Sequence, residues 1–229
     1  MNLVESLRVD LFAIIISAAY VIAVIGLAEV LRARGLDQAI TRKIVHVGIG
    51  LWIVPTYLLF ESWFWAALPA AGFVVLNSLA WHFEWFRSMS GEKRNVGVIL
   101  FPLSTAAALV LFWEGPTRVI GAASMLVLTL GDAAGALVGR HLGRRHYVVL
   151  DHQRSLEGSA AMFAASFLAV VAAFVVFSAP VDASVLLGAA IAAAVATAVE
   201  AVCPWGLDNL LIPVSVAGTM LLTRGTVWG

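Results

Sequence analysis

Charge is what this sequence has least of. Only 12% of its 229 residues are Asp, Glu, Lys or Arg, roughly half the ~25% of an ordinary soluble domain. With 62% hydrophobic residues and a mean hydropathy of +0.97, a water-soluble chain of this size would expose far too much apolar surface. Lipid must therefore be the solvent for most of it. The single cysteine, Cys203, excludes an internal disulfide and any multi-cysteine metal site. Fourteen basic and fourteen acidic residues cancel, so bulk charge points to no acidic partner and no nucleic acid. The sequence also lacks Ser/Gly linkers, low-complexity tracts and repeats, which suggests one integral-membrane domain over residues 1–229. The first apolar run is too long for a signal-peptide core and no small-residue cleavage site follows it, so it reads as a retained span.

Long apolar runs are what is present. A spanning helix needs about 20 mainly apolar residues, and that ruler marks spans near 9–31, 44–60, 63–81, 97–113, 118–138, 158–178, 184–203 and 209–224. The expectation is an all-α polytopic membrane protein of about eight helices, or seven. Pro55 and Pro213 are expected to kink or break the two shortest spans. Lysine and arginine collect in alternate connections: Arg32, Arg34, Arg42 and Lys43; then Arg87, Lys93 and Arg94; then Arg140, Arg144, Arg145 and Arg154. The other connections hold only Arg118, with Arg8 and Arg224 near the ends. The positive-inside rule places the basic loops in the cytoplasm and both termini outside. Trp63, Trp65, Trp81, Trp85, Trp113 and Trp205 fall near span ends and read as an interfacial belt.

Ionisable groups inside spans are costly and usually functional. Here they are Glu29, His46, Asp132 and Glu200, with Asn77 as an uncharged companion and Asp208 and Asn209 just before the last span. On the expected topology all of the charged ones converge on the membrane face that bears the basic loops. Arginine and lysine suit phosphate oxygens, and clustered carboxylates suit Mg²⁺, an ion of oxygen ligands. A nucleotide–metal site acting on a lipid headgroup needs that combination. In GDAAGALVGRHLG, Gly131, Gly135 and Gly139 recur every four residues along one helix face. Such a face serves either helix packing or the close approach of a headgroup or nucleotide. In RSLEGS, Ser155 or a neighbour is expected to cap the next helix, whose positive end favours phosphate.

TRKIVHVGIG, LTLGDAAGALVGRHLG, RSLEGSAAMFAASF and AVEAVCPWGLDNLLIP, in that order, resemble the motifs of the integral-membrane polyprenol and lipid kinases. That family includes phytol kinase, dolichol kinase and a CTP-dependent diacylglycerol kinase, and it is distantly similar to phosphatidate cytidylyltransferases. NVGVILFPLS also looks like the family's Gly-Thr-x-x-Tyr-Pro region. The resemblance implies transfer of the terminal phosphoryl group of a nucleoside triphosphate, often CTP, to the hydroxyl of a membrane lipid alcohol. It carries the Arg-Lys-x-x-His motif onto Arg42, Lys43 and His46. The Gly-Asp motif falls on Gly131 and Asp132, with trailing glycines at Gly139 and Gly143. The Lys-Ser-x-Glu-Gly motif falls on Arg154, Ser155, Glu157 and Gly158, and the Glu…Asp-Asn motif on Glu200, Asp208 and Asn209. Arg154 stands where the family has lysine, and Val98 where threonine is common.

The expected mechanism assigns Mg²⁺ to Asp132 with Glu157, Glu200 or Asp208. Phosphate contacts are expected from Arg42, Lys43, Arg140, Arg144, Arg145 and Arg154, with Gly139, Gly143, Ser155 and Gly158 around them. Asn209 is expected to orient nucleotide or metal, and a carboxylate or His46 to take the proton of the alcohol. His82, His141, His146 and His152 receive no role, because no metal-ligand spacing joins them. A cytidylyltransferase acting on a lipid phosphate needs a similar site, whereas a transporter favours mid-membrane charges and repeated halves. The lipid (phytol, a longer polyprenol or diacylglycerol) and the choice of CTP or ATP stay open. A bacterial inner membrane is the expected location.

Overall fold

The computed structural model describes residues 3–83, 96–150 and 152–227. Arg87, Lys93, Arg94 and Trp85 lie outside them. Helices fill the expected spans: α1 Leu3–Ala33, α2 Gln38–Leu51, α3 Ile53–Leu59, α4 Trp63–His82, α5 Gly97–Leu111, α6 Arg118–Leu126, α7 Asp132–Leu142, α8 Leu156–Val176, α9 Ala183–Val202 and α10 Asp208–Val227. Among the described residues, five helical stretches are long and apolar enough to cross a membrane: Glu5–Ala33, Trp63–His82, Gly115–Leu142, Leu156–Val176 and Ala183–Val202. Shorter apolar helices cover Gly97–Leu111 and Asp208–Thr223. Phe12, Ile15, Ile22, Leu111 and Leu168 are all more than 60% exposed, which gives the bundle an oily exterior suited to lipid.

The stretch Gly115–Leu142 is the spine. Its most apolar segment is 78% buried, against 17–33% for the other four long stretches. Small residues allow this: Gly121, Ala122, Ala123 and Ser124 are all buried, so neighbouring helices close in from every side. A π turn, Val127–Gly131, interrupts the spine immediately before Asp132. Such turns widen a helix by one residue and recur at functional sites.

Prolines are handled in two ways. The 44–60 span breaks, as expected from Pro55, into α2 and α3 around Trp52. The carbonyl that Pro55 leaves without a helical donor is that of Leu51, where α2 ends. Pro213, by contrast, does not break α10. It deprives the Asn209 carbonyl of its helical donor, and the Ser104 hydroxyl of α5 supplies one at 2.7 Å. Pro102 inside α5 does the same to the Val98 carbonyl, which accepts from Asn77 Nδ2 of α4 at 2.7 Å. Freed carbonyls in a membrane need such replacements. Asn77 is thereby a structural partner of Pro102.

The polar insert after α7, expected as a loop, forms an antiparallel hairpin of β1 His146–Val149 and β2 His152–Ser155, with Tyr147 opposite Arg154. On the far side of the bundle, buried Asp10 accepts from the Glu61 and Ser62 amides at 2.8 and 3.4 Å, pinning the α3–α4 turn. Trp63, Trp81 and Trp205 are exposed as a belt requires, but Trp113 is core. It stacks on Tyr57 at 5.6 Å and receives the Arg118 guanidinium 4.8 Å from its ring.

Candidate active site

Asp132 opens α7 at the end of the π turn and is almost fully buried. Two side chains one turn apart on α2 meet it. Lys43 Nζ lies 2.5 Å from Asp132 Oδ2, and His46 Nε2 lies 3.5 Å from the same oxygen and from the Leu128 carbonyl. From the hairpin, Arg154 reaches the end of α9 and holds Glu200 twice, at 3.1 Å to the carboxylate and 3.2 Å to the backbone carbonyl. Asp208 begins α10 and accepts from Asn209 Nδ2 at 3.4 Å. Glu200 lies within electrostatic range of Asp132 and Asp208, Asp208 lies within range of Asp132, and Lys43 and Arg154 act on both Glu200 and Asp208. Three acids from three helices thus share one locus with two cations.

Beside this cluster is a cavity of about 330 Å³. Arg140, His146, Arg154, Ser155, Ser159 and Glu200 line it over a glycine floor. The floor exists because α7 and α8 nearly touch: a Cβ on Gly158 would stand 2.9 Å from the Gly135 carbonyl and 3.0 Å from Gly139 Cα. The packing reading of the glycine face is borne out at Gly135, Gly139 and Gly158, which let α7 and α8 meet and also line the cavity. Ser155 caps α8, accepting from the Gly158 amide at 3.1 Å, so the positive end of that helix also opens here. Arg154 Nε is buried in the cavity wall with no hydrogen-bond partner. A buried guanidinium N–H without an acceptor is costly and calls for an anion.

Over 210 residues, 90% of this chain and 88% of the relative, the sequence is 32% identical to phytol kinase of Synechocystis sp.. The chain belongs to the phytol kinase family of membrane lipid kinases. Farnesol kinase of Arabidopsis thaliana is 30% identical over 182 residues, and probable phytol kinase 3 of Glycine max 29% over 177. The matches cover 73% and 69% of this chain and 58% and 53% of those plant proteins. No family model matches the sequence, and no solved structure matches it.

In this phytol kinase relative the remaining predicted residues lie in different surroundings. Asn209 sits beside Asp208 and donates to the Gly206 carbonyl at 3.2 Å. Glu157 spends its carboxylate on the loop backbone, accepting from the Arg144 amide at 3.1 Å and the Arg145 amide at 3.2 Å. Those two arginine side chains are exposed, as is Arg42. Gly143 packs against the Gly139 carbonyl and Ser155. Glu29 stays apart from the acid cluster, 3.9 Å from Arg32 on the α1 surface.

Two contributors were missed. Asp37 caps α2, accepting from the Ala39 amide at 2.7 Å, and pairs with Arg140 at 3.2 and 3.3 Å. The Arg140 hydrogen bond, then the Ala39 amide, hold the Asp37 carboxyl below its ordinary range. An acid just before an amphipathic helix is a capping signal that would have found it. Ser159, bonded to the Tyr147 hydroxyl at 2.6 Å, carries no such signal.

Proposed function

We propose that this protein is a membrane lipid-alcohol kinase, passing the terminal phosphoryl group of a nucleoside triphosphate to an isoprenoid alcohol of the phytol or farnesol type. The observation that carries this reading is the cavity holding the unpartnered Arg154 Nε next to a cluster of three carboxylates. Kinship with phytol and farnesol kinases supports the acceptor class. CTP is the proposed donor, on the family resemblance.

Arg154, Arg140, the Ser155 and Ser159 hydroxyls and the α8 N-terminus receive the phosphates, with Arg42, Arg144 and Arg145 at the exposed rim. A Mg²⁺ ion fits the oxygen donors present. Asp208, which has no cation within ion-pair reach among the described residues, and Glu200 would hold it. Among those residues no three His, Cys, Asp or Glu side chains form a ready-made metal set, and Mg²⁺ is commonly bound by one or two carboxylates together with substrate phosphates. When bound, Mg²⁺ offsets the charge of the phosphates.

Asp132, fixed by Lys43 and His46, takes the proton of the alcohol. The alcohol oxygen bonds to the terminal phosphorus, the bond from that phosphorus to the bridging oxygen breaks, and the nucleoside diphosphate leaves with the electron pair. Phosphoryl transfer depends mainly on positioning and charge neutralisation, so a weak base suffices. The cationic residues around the cavity support a cytoplasmic site by the positive-inside rule, with both termini outside and a bacterial inner membrane as the setting.

The test uses purified protein in detergent with CTP or ATP labelled at the terminal or the α phosphate, Mg²⁺, and phytol, farnesol or phytyl phosphate. Terminal label on the alcohol is the expected result, lost in Asp132→Asn. Label from the α phosphate with pyrophosphate release would make it a cytidylyltransferase.

A further inference from the structure

The polar cavity touches α7 on one side. Between α2 and α7 lies a second cavity of about 340 Å³, apolar and lined by Ile40, Ile44, Val47 and Gly48 of α2, Leu137 of α7, and Lys43. The α2 positions recur at helical spacing, so they form one stripe, and from residue 40 to 48 it runs about 12 Å along the axis. One end is closed: the Asp37–Arg140 pair ties the two helices together one turn beyond Ile40 and Leu137. Towards Gly48 the stripe follows α2 into the span.

Among the described residues, Lys43 is the one polar side chain lining this groove, and it joins the groove to the chemistry. Its stem forms part of the wall and its ammonium rests on Asp132. An oily groove therefore passes beside the residue that takes the alcohol's proton, while the phosphate cavity approaches from the other side of the same helix. We infer that the α2–α7 groove seats the first isoprene units of the acceptor alcohol and selects a single-chain isoprenoid alcohol over diacylglycerol.

This inference rests on the kinase reading. The discrimination follows from hydrogen bonding. In an isoprenoid alcohol, hydrocarbon begins directly behind the hydroxyl, matching Ile44, Val47 and Leu137. Diacylglycerol carries two ester carbonyls at that point. Among the described residues, the only lining side chain with a donor is Lys43, whose ammonium is turned to Asp132. A carbonyl set against Ile44, Val47 and Leu137 is therefore desolvated and unpaired, which is penalised. The groove is also short, so chain beyond the first units lies in lipid and is read weakly.

The experiment measures KM for farnesol, phytol and a short-chain diacylglycerol in mixed micelles, alongside nucleotide KM. Ile44→Phe and Val47→Phe fill the groove, and Leu168→Phe on the exposed face of α8 is the control. The filled variants are expected to raise farnesol and phytol KM about tenfold with nucleotide KM and the control unchanged. Independently of any variant, a farnesol analogue with a diazirine in its first isoprene unit, irradiated with wild-type protein, should mark peptides containing residues 40–48 or 137. An unchanged alcohol KM in folded variants, labelling confined to other helices, or diacylglycerol used as efficiently as phytol would each overturn the groove while leaving the kinase standing. Wild-type protein that phosphorylates no alcohol at all would overturn both.

Discussion

Replacing Ser104 with alanine removes one hydroxyl from α5, yet its effect should be felt at the start of α10. The Asn209 carbonyl has no helical donor because Pro213 occupies the position four residues on, and Ser104 replaces that donor at 2.7 Å. Ser104 is 3% exposed, so water cannot take its place. An unsatisfied buried carbonyl costs about 1–3 kcal/mol, and hydrogen bonds measured in membrane bundles reach at most about 1.7 kcal/mol. Ser104→Ala should therefore cost about 1–2 kcal/mol in detergent-mediated unfolding followed by circular dichroism. Because Asn209 and Asp208 start that helix, phosphoryl transfer should weaken too. Pro213→Ala restores an N–H to the helix, so Ser104→Ala combined with Pro213→Ala should recover most of both losses. If the double variant is as impaired as the sum of the single ones, the carbonyl-replacement argument fails.

The α7–α8 contact makes a second prediction. Gly158→Ala forces a Cβ to within 3.0 Å of backbone on the facing helix and should cost about 1–3 kcal/mol, whereas Gly26→Ala, with open space around it, should be neutral or slightly stabilising; equal melting temperatures would refute the seam. The Asp37–Arg140 tie predicts a pH dependence. Because the folded pKa is depressed, its contribution is fully present above the ordinary value of 3.8 and is lost as pH falls through the lower folded value. NMR titration of Asp37 should give a midpoint below that of Asp37 in an Arg140→Gln variant, and equal midpoints would contradict the pairing. Arg154→Lys keeps the charge that meets Glu200 through Nη2 but loses the Nε donor buried beside the cavity. Nucleotide KM should rise while alcohol KM holds, and a rise in alcohol KM alone would place Arg154 elsewhere.

Hydropathy made the helices legible, because in an apolar solvent a span must be long and continuous. The nearness of Asp132, Glu200 and Asp208 to Lys43 and Arg154 was legible for the same reason, since few charges exist and each stands out, although Glu29, expected with them, lies apart. Pairings were not. Nothing local says that Lys43 meets Asp132 or that Arg154 crosses to Glu200, for those contacts depend on which helices are neighbours. Asn77 looked functional because its partner is a backbone carbonyl on another helix, visible only once Pro102 is seen to free it. Pro213 looked like a break because Ser104 lies over a hundred residues away. The hairpin was hidden by its length: four-residue strands in a charged segment carry too little alternation to read. The π turn leaves no compositional mark.

Equilibrium binding of a non-hydrolysable CTP analogue with Mg²⁺ tests the shared acid–cation pocket most directly, because it needs neither lipid nor turnover. Wild-type protein should bind the analogue only with Mg²⁺ present, and Asp208→Asn and Arg154→Met should each weaken it by about tenfold or more while farnesol binding persists. Undiminished, metal-independent binding in both variants would contradict the account.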